Sequence, residues 1–247
     1  MSEKPDAGGM AADDAALVLF SGGQDSTVCL AWTLERFARV ETVGVAYGQR
    51  HAIELAQRLT VLEVLRSEFP RWESRLGPDH VLSLPELGRL SETALTRDAE
   101  IEMTAAGLPS TFVPGRNLLF FTYAAALGYR RGIRTLVGGM CETDYSGYPD
   151  CRPEYIEAFE RLANLASRAA TEGGVRLRLH TPLIDKTKAE IIQWGVRLGV
   201  DYARTWSCYD PVSLADGRVA ACGRCDSCLL RKKGFREAGV DDPTVYG

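Results

Sequence analysis

A short apolar run that ends in a glycine-rich polar loop constrains the fold more than any other feature of the sequence. Residues 16–20 read ALVLF, which is typical of a strand buried in a parallel sheet. The polar loop SGGQDS follows at residues 21–26, and residues 27–37 have helical composition. Because open α/β sheets bind ligands at the carboxyl ends of their strands, this strand, loop and helix predict an α/β fold with an anion site at the loop.

The loop composition predicts a site for the phosphates of ATP. Gly22 and Gly23 allow backbone N–H groups to turn inward around an anion, and the following helix adds its positive N-terminal end. The loop lacks the lysine of a Walker A motif, so it suits pyrophosphate as a leaving group and attack at the α-phosphate. Asp25 is expected to act through Mg²⁺ or as a helix cap, and the simpler alternative is a plain glycine turn. The predicted nucleotide-binding residues are Phe20, Ser21, Gly22, Gly23, Gln24, Asp25, Ser26, Gly138 and Gly139.

Strand and helix patterns alternate along the rest of the chain. They predict strands at residues 41–47, 80–84, 135–137 and 176–180, and helices at 52–66, 117–130, 154–170 and 186–198. This alternation favours a doubly wound parallel sheet. Residues 85–110 show no clear core pattern and are predicted to form a loop-rich excursion. We divide the chain into a disordered tail at 1–14, a nucleotide-binding α/β domain at 15–200 and a small zinc-binding appendage at 201–247.

Four late cysteines predict a structural zinc site. Cys208, Cys222, Cys225 and Cys228 leave thirteen, two and two intervening residues. Cys-x-x-Cys spacing places two thiolates on one metal, and four sulfur ligands leave no position open for water or substrate. One Zn²⁺ per chain is therefore expected. Redox disulfides are the alternative, but a chain of the reducing cytoplasm rarely keeps them.

Two polar loops are candidates for binding the second substrate. TFVPGRN at residues 111–117 offers Arg116 as a fork for phosphate or carboxylate, although a simple turn with Asn117 as a helix cap is an equal alternative. Residues 142–152 combine three acids, two tyrosines and an arginine, which suits a flat polar heterocycle better than a surface Ω-loop. Lys186 and Lys188 are free cations that could reach a phosphate. The predicted substrate-binding residues are Arg116, Glu142, Asp144, Tyr145, Tyr148, Asp150 and Arg152.

Composition narrows the class of protein. A net charge of -4 argues against bulk electrostatic capture of nucleic acid or anionic membrane. No apolar run approaches the roughly 20 residues that span a bilayer. The first fourteen residues lack the order of a secretory signal. We therefore expect a cytoplasmic protein with no nucleic-acid or membrane partner.

Taken together, the motifs resemble those of the 7-cyano-7-deazaguanine synthase family. The resemblance rests on FSGGQDS at 20–26, YGQRH at 47–51, TFVPGRN at 111–117, CETDYSGYPDCR at 141–152, TPL at 181–183, KAEI at 188–191, TWSCY at 205–209 and ACGRCDSCLLR at 221–231. One departure is the long Cys208–Cys222 interval, where SLADGRVA is inserted and should lengthen a loop without altering the metal site.

The resemblance implies an ATP-dependent ligase with an adenine nucleotide alpha hydrolase-like fold. Such an enzyme makes a nitrile from 7-carboxy-7-deazaguanine and ammonia through adenylate and amide intermediates. ATP with Mg²⁺ would be the cosubstrate, Asp25, Ser26 and Arg116 would act in catalysis, and the protein would be a homodimer.

Three other functions compete with this interpretation. A transfer-RNA sulfur-insertion enzyme would share the phosphate loop and zinc knuckles, but the acidic net charge argues against it. A non-enzymatic zinc-ribbon module would explain the cysteines but not the loop. A repurposed relative that attaches a deazaguanine to a protein partner would match every motif.

Overall fold

The computed structural model describes residues 14–48, 53–91, 93, 96, 110–141 and 148–247. Its centre is a five-stranded parallel sheet in the order β3-β2-β1-β4-β5. The strands are β1 (Ala15–Leu19), β2 (Arg39–Ala46), β3 (Leu76–Ser83), β4 (Thr135–Val137) and β5 (Arg178–His180), and a separate antiparallel hairpin joins β6 (Val212–Ser213) to β7 (Val219–Ala220). The helices are α1 (Gln24–Leu34), α2 (Ile53–Glu68), α3 (Pro70–Glu73), α4 (Pro85–Leu90), α5 (Arg116–Arg131), α6 (Pro153–Leu165), α7 (Arg168–Gly173), α8 (Lys188–Leu198) and α9 (Asp226–Ala238).

Helices cover both faces of the sheet, as the sequence predicts for a doubly wound fold. Successive residues of β1 point to opposite faces. Val18 packs in a core with residues of α1, α2, α8 and α9, while Leu17 packs in a second core with residues of α5 and α6. Both side chains are fully buried. The α/β fold class with a parallel sheet is confirmed.

The strand order places a topological switch point beside β1. From β1 the chain first builds β2 and β3 on one side, and it then crosses over to build β4 and β5 on the other. The carboxyl ends of β1 and β4 therefore diverge from a common crevice, which is where such sheets bind ligands.

Several predicted elements differ from the structure, and β3 begins at Leu76, four residues before its predicted start. Residues 85–90 form helix α4 instead of loop, because Pro85 suits the first helical turn and Gly88 packs so closely on Tyr47 that a Cβ would lie 2.3 Å from its carbonyl oxygen. The rest of that excursion lies largely outside the described residues. The single helix predicted at 154–170 is two helices, because Ser167 is extended between α6 and α7. Helix α1 begins at Gln24, three residues earlier than predicted, so the end of the phosphate loop forms its first turn.

The C-terminal segment packs onto the main sheet domain. Phe235 of α9 is buried in the same core as Ile191 and Ile192 of α8. The domain boundary at residue 200 remains a prediction, as does the tail, of which only Asp14 is described. Among the described residues, no helix is both long and apolar enough to cross a bilayer.

Candidate functional site

The predicted phosphate loop lies at the carboxyl end of β1. Gly22 has φ +85°, and a Cβ there would lie 2.9 Å from the backbone nitrogen of Arg58, so both conformation and space require glycine. The hydroxyls of Ser21 and Ser26 are 3.1 Å apart, and the Gly23 N–H donates to Ser21 Oγ at 3.2 Å. The loop therefore brings backbone amides and two hydroxyls together at the N-terminus of α1, as an anion site requires.

The glycine pair after β4 faces this loop across the switch point. A Cβ on Gly139 would lie 3.4 Å from the backbone nitrogen of Ser26. The Gly138 carbonyl accepts a hydrogen bond from Cys29 Sγ at 3.7 Å. Burial, followed by the nearby Asp25 carboxylate, raises the pKa of the Cys29 thiol, so this cysteine stays neutral. The structure thus brings together the two segments predicted to bind the nucleotide.

An ion pair sits at the start of α1. Lys188 Nζ lies 2.6 Å from Asp25 Oδ2, and both side chains are largely shielded from solvent. The other carboxylate oxygen, Asp25 Oδ1, is buried without a hydrogen-bond partner in the described structure. The prediction that Lys188 is a free cation is therefore wrong. Lys186 is not free either, because its ammonium lies 3.3 Å from Asp185.

The position of Lys188 follows from the start of α8. Thr187 and Glu190 form a capping box, in which Thr187 Oγ1 accepts from the Glu190 N–H and Glu190 accepts from the Thr187 N–H. This arrangement fixes the first turn of the helix. Lys188 is the first residue of that turn, so the capping box holds its backbone in place beside the phosphate loop.

Arg116 is surrounded by tyrosines. It is the first residue of α5, and its guanidinium lies 5.8 Å from the Tyr148 ring centroid. Burial lowers the pKa of Arg116, but Tyr47, Tyr209, Tyr148 and Asp150 together raise it above its ordinary value. The guanidinium therefore remains a cation in a partly desolvated aromatic setting, where it can meet a carboxylate or phosphate.

The two predicted substrate loops contact each other. Tyr148 Oη lies 2.7 Å from Thr111 Oγ1. The Asn117 N–H donates to Asp150 Oδ2 at 3.3 Å, and its side-chain amide donates to the Asp150 carbonyl at 3.2 Å. The alternative in which Asn117 caps α5 is therefore wrong. Asp150 Oδ1 is buried with no hydrogen-bond partner among the described residues, so this carboxylate retains an acceptor.

The remaining predicted substrate residues are less well placed. Arg152 is exposed at the start of α6. Glu142, Asp144 and Tyr145 lie outside the described residues, so their positions stay predictions.

Sequence reasoning missed three buried or half-buried residues near the site. Tyr47 and Tyr209 belong to one apolar cluster at the ends of β2 and β3. Arg58 of α2 is fully buried, forms an ion pair with Asp79 and lies under the phosphate loop. Tyr47 and Tyr209 occur in motifs that carry the family resemblance, which is the signal that could have found them. Arg58 has no such signal, because α2 otherwise reads as an ordinary amphipathic helix.

The four predicted metal ligands converge. Their sulfur atoms all lie within 4.8 Å of one another, and all four cysteines are buried; they are Cys208, Cys222, Cys225 and Cys228. Zinc–sulfur bonds of about 2.3 Å in a tetrahedron place the sulfurs about 3.8 Å apart. The Cys222 and Cys228 sulfurs are 4.0 Å apart. The side chains therefore fit a four-thiolate metal centre.

Backbone amides support thiolate charge at this centre. The Cys222 N–H donates to Cys208 Sγ at 3.2 Å, and the Cys225 N–H donates to Cys222 Sγ at 3.3 Å. Such outer hydrogen bonds orient metal ligands and stabilise their charge. The inserted residues 213–220 form the β6–β7 hairpin, so the long interval extends a loop without separating the ligands.

The four-cysteine cluster adjoins the rest of the site. The Trp206 N–H donates to the Gly22 carbonyl of the phosphate loop at 3.0 Å. Tyr209 packs against both the cysteine cluster and the Tyr47 cluster. The C-terminal segment therefore forms one wall of the candidate active site.

A family model and curated relatives match most of this chain. Residues 15–239 match the family model described as "Queuosine biosynthesis protein QueC". The 7-cyano-7-deazaguanine synthase of Paracidovorax citrulli is 54% identical over 229 residues, covering 89% of this chain and 94% of the relative. That of Parvibaculum lavamentivorans is 56% identical, covering 89% and 93%. The solved NMN synthetase from Francisella tularensis aligns over 93% of this chain and 79% of its own, with 13% identity and a TM-score of 0.48.

Proposed function

The chain belongs to the QueC family of 7-cyano-7-deazaguanine synthases, ATP-dependent ligases of queuosine biosynthesis, and we propose that it converts 7-carboxy-7-deazaguanine and ammonia into the nitrile through two activations by ATP. The observation that carries this proposal is the meeting of the phosphate loop and the Gly138–Gly139 pair at the switch point. An anion site of this kind, without a Walker lysine, suits the departure of pyrophosphate.

Two activations are needed because oxide and hydroxide are poor leaving groups. In the first, a substrate carboxylate oxygen attacks the α-phosphate of ATP, which forms an acyl adenylate and releases pyrophosphate. Ammonia then displaces AMP, loses a proton and leaves the primary amide. In the second, the amide oxygen attacks the α-phosphate of another ATP, which releases pyrophosphate and, with loss of one N–H proton, forms an O-adenylated imidate. Departure of AMP with loss of the remaining N–H proton leaves the nitrile. The protein supplies positioning and charge neutralisation for each step.

We assign the nucleotide to the loop from Phe20 to Ser26 and to the facing glycine pair. Ser26 and the loop amides would hold the departing phosphates. The unpartnered Asp25 Oδ1 is suited to a Mg²⁺ ion that accompanies ATP. A cation bound there would weaken the ion pair between Asp25 and Lys188. The Lys188 ammonium would then be able to contact the phosphates.

We assign the deazaguanine to the region around Arg116. A cation enclosed by tyrosines can bind the substrate carboxylate, and later the adenylate phosphate. The free acceptor oxygen of Asp150 is suited to the N–H groups of the base. Tyr148 offers an aromatic face, and we propose that Glu142, Asp144 and Tyr145 complete the pocket. Arg152 would lie at the entrance of this pocket, since its side chain is exposed.

We further propose that the four cysteines hold one structural Zn²⁺ per chain. The buried sulfur ligands and their backbone N–H donors support this assignment. With four thiolates, zinc would cross-link the C-terminal segment and take no part in bond making.

Product analysis tests the proposed reaction. Purified protein should convert 7-carboxy-7-deazaguanine, ¹⁵N-ammonium and Mg-ATP into a nitrile that carries one ¹⁵N, detected by mass spectrometry. About two AMP should form per nitrile, and the amide should accumulate when ATP is limiting. Release of ADP and phosphate, or transfer of the deazaguanine to a protein, would contradict the proposal.

We propose a homodimer that works in the cytoplasm on small molecules, with no nucleic-acid partner, since symmetric dimers are the commonest oligomers and the net charge is acidic. Light scattering at micromolar concentration should give about twice the chain mass. A monomer mass would refute the dimer, and salt-sensitive binding of transfer RNA would refute the small-molecule assignment.

A further inference from the structure

Arg231 of α9 is a buried cation outside the assigned pockets. Its side chain is 2% exposed. Its Nη1 donates to Thr205 Oγ1 at 2.8 Å and its Nη2 donates to the Tyr202 carbonyl at 3.0 Å. Its Nε donates to Asp242 Oδ1 at 3.1 Å. The Arg231 guanidinium thus links helix α9 to residues 202–207 and to Asp242, which follows the helix.

The segment from 202 to 207 meets the phosphate loop through its backbone. The Trp206 N–H donates to the Gly22 carbonyl at 3.0 Å, and a Cβ on Gly23 would lie 3.3 Å from the Trp206 carbonyl oxygen. In a trans peptide the carbonyl and the next N–H point in opposite directions. Holding the Gly22 carbonyl toward Trp206 therefore fixes the Gly23 N–H on the other side, where it donates to Ser21.

The contact with Trp206 constrains the loop from outside. Gly22 and Gly23 can adopt many backbone angles, and the hydrogen bonds within the loop reach the Gly23 carbonyl, while Trp206 holds the Gly22 carbonyl. Thr205 sets the position of the next residue, Trp206, and its hydroxyl donates to the Tyr202 carbonyl at 2.9 Å while it accepts from Arg231. The path from Arg231 to the loop is therefore continuous through hydrogen bonds and one covalent step.

We propose that Arg231 is a positioning residue for the phosphate loop, acting through Thr205 and the Trp206 amide. A lysine could not replace it, because only a planar guanidinium reaches a hydroxyl, a carbonyl and a carboxylate together. The proposal rests on the proposed function, since it takes this loop to be the ATP site.

Thr205 offers a sharp test because it can be changed without removing the buried charge. Thr205→Val removes the hydroxyl with little change of shape, and Thr205→Ser keeps it. Isothermal titration of ATP should give a Kd roughly tenfold higher for Thr205→Val and close to wild type for Thr205→Ser, as expected for a lost hydrogen bond to a charged group. The KM for ATP should rise more than the KM for 7-carboxy-7-deazaguanine.

A second pair of variants on α9 addresses the arginine itself. Arg231→Lys should raise the Kd for ATP at least as much as Thr205→Val, with bound metal still near one per chain. Arg236→Lys is the matched control, because it makes the same change at an exposed arginine on the same helix. If Arg231→Lys does not fold, the ATP Kd values of Thr205→Val and Thr205→Ser test the proposal on their own.

The outcomes separate the inference from its premise. Wild-type protein that binds no ATP would overturn the proposed function and this inference with it. Wild-type protein that binds ATP, together with a folded and metal-loaded Thr205→Val variant of unchanged Kd and KM, would overturn only the role of Arg231. A raised Kd that Thr205→Ser restores would support it.

Discussion

At the scale of single residues, Asp25 combines two features that are seldom found together. One carboxylate oxygen is paired with Lys188 at 2.6 Å, and the other is buried without a partner in the described structure. A buried acceptor of this kind is costly unless a ligand completes it. We therefore attribute the position of Asp25 to ligand binding and not to stabilisation of the fold.

We predict that Asp25→Ala abolishes AMP formation, with a loss of at least about a hundredfold in kcat, while the fold survives. Asp25 would hold the Mg²⁺ that neutralises charge in the transition state, and loss of such electrostatic stabilisation costs about that much. Release of AMP and pyrophosphate, followed by chromatography, measures the effect, and circular dichroism checks the fold. Asp185→Ala is the control, because it removes the exposed partner of the neighbouring Lys186. Unchanged ATP cleavage in Asp25→Ala would contradict the assignment.

We also predict that Asp150→Asn lowers kcat/KM for 7-carboxy-7-deazaguanine by roughly ten- to a hundredfold at saturating ATP. A hydrogen bond between a carboxylate and the base is worth about 1.5–3 kcal/mol. Steady-state kinetics with both substrates varied measure this change. Glu154→Gln, which alters an exposed acid on the first turn of α6, should behave like wild type. Equal kcat/KM values for Asp150→Asn and wild type would remove this residue from the pocket.

At the scale of elements, the four-cysteine cluster connects two parts of the C-terminal segment. It joins Cys208, which lies just after the Trp206 contact with the phosphate loop, to Cys225 and Cys228 at the start of α9. Structural zinc contributes about 10–16 kcal/mol to folding in small peptides. Loss of one ligand should therefore disturb both the segment and the loop that it contacts.

We predict that Cys225→Ala loses the metal and gives poorly folded or aggregated protein. Elemental analysis of wild type should find about one zinc per chain. Cys151→Ala changes a cysteine outside the cluster and should keep the metal. A folded Cys225→Ala variant with full zinc content would contradict the four-thiolate site.

Elements with strong local signals were predictable, and those set by tertiary contacts were not. The continuous apolar runs at β1 and β4 and the glycine loop predicted a parallel sheet with a ligand site at a strand end, because burial on both faces leaves a clear pattern. The strand order and its switch point were not predicted and come from the structure. Helix α4 was missed because its first-turn Pro85 and the close packing of Gly88 on Tyr47 show no periodicity. The ion pair of Asp25 with Lys188 spans 163 residues, and no local pattern reports such a contact.

At the scale of the whole molecule, a network of charges around one buried carboxylate links parts of the sheet at the end opposite the site. Glu41 of β2 is fully buried, and Arg131 at the end of α5 donates to its two oxygens at 2.9 Å each. His80 of β3 lies 2.7 Å from the same carboxylate, and Arg39 lies 3.3 Å away. The network thus links two strands and a helix that are distant in sequence.

The network predicts how stability changes with pH. Burial raises the pKa of Glu41, but its hydrogen bonds to Arg131 and His80 outweigh burial and hold the pKa below its ordinary value. Since the folded pKa lies below the unfolded one, Glu41 stabilises the fold at neutral pH. That contribution is present above the unfolded pKa of about 4.3 and is lost as the pH falls through the folded pKa.

We therefore predict that Glu41→Gln lowers the free energy of unfolding by about 1.5–3 kcal/mol at pH 7, because it removes the buried charge that accepts hydrogen bonds from Arg131, while the partly exposed arginines stay solvated. The difference between wild type and variant should shrink as the pH falls from 5 toward 3, which isolates Glu41 from other acids. Urea unfolding across this range measures it. Glu86→Gln breaks an exposed ion pair with Arg89 and should cost less than about 1 kcal/mol at every pH. If the difference in unfolding free energy between wild type and Glu41→Gln stays constant with pH, Glu41 acts by packing and hydrogen bonding and not by its charge.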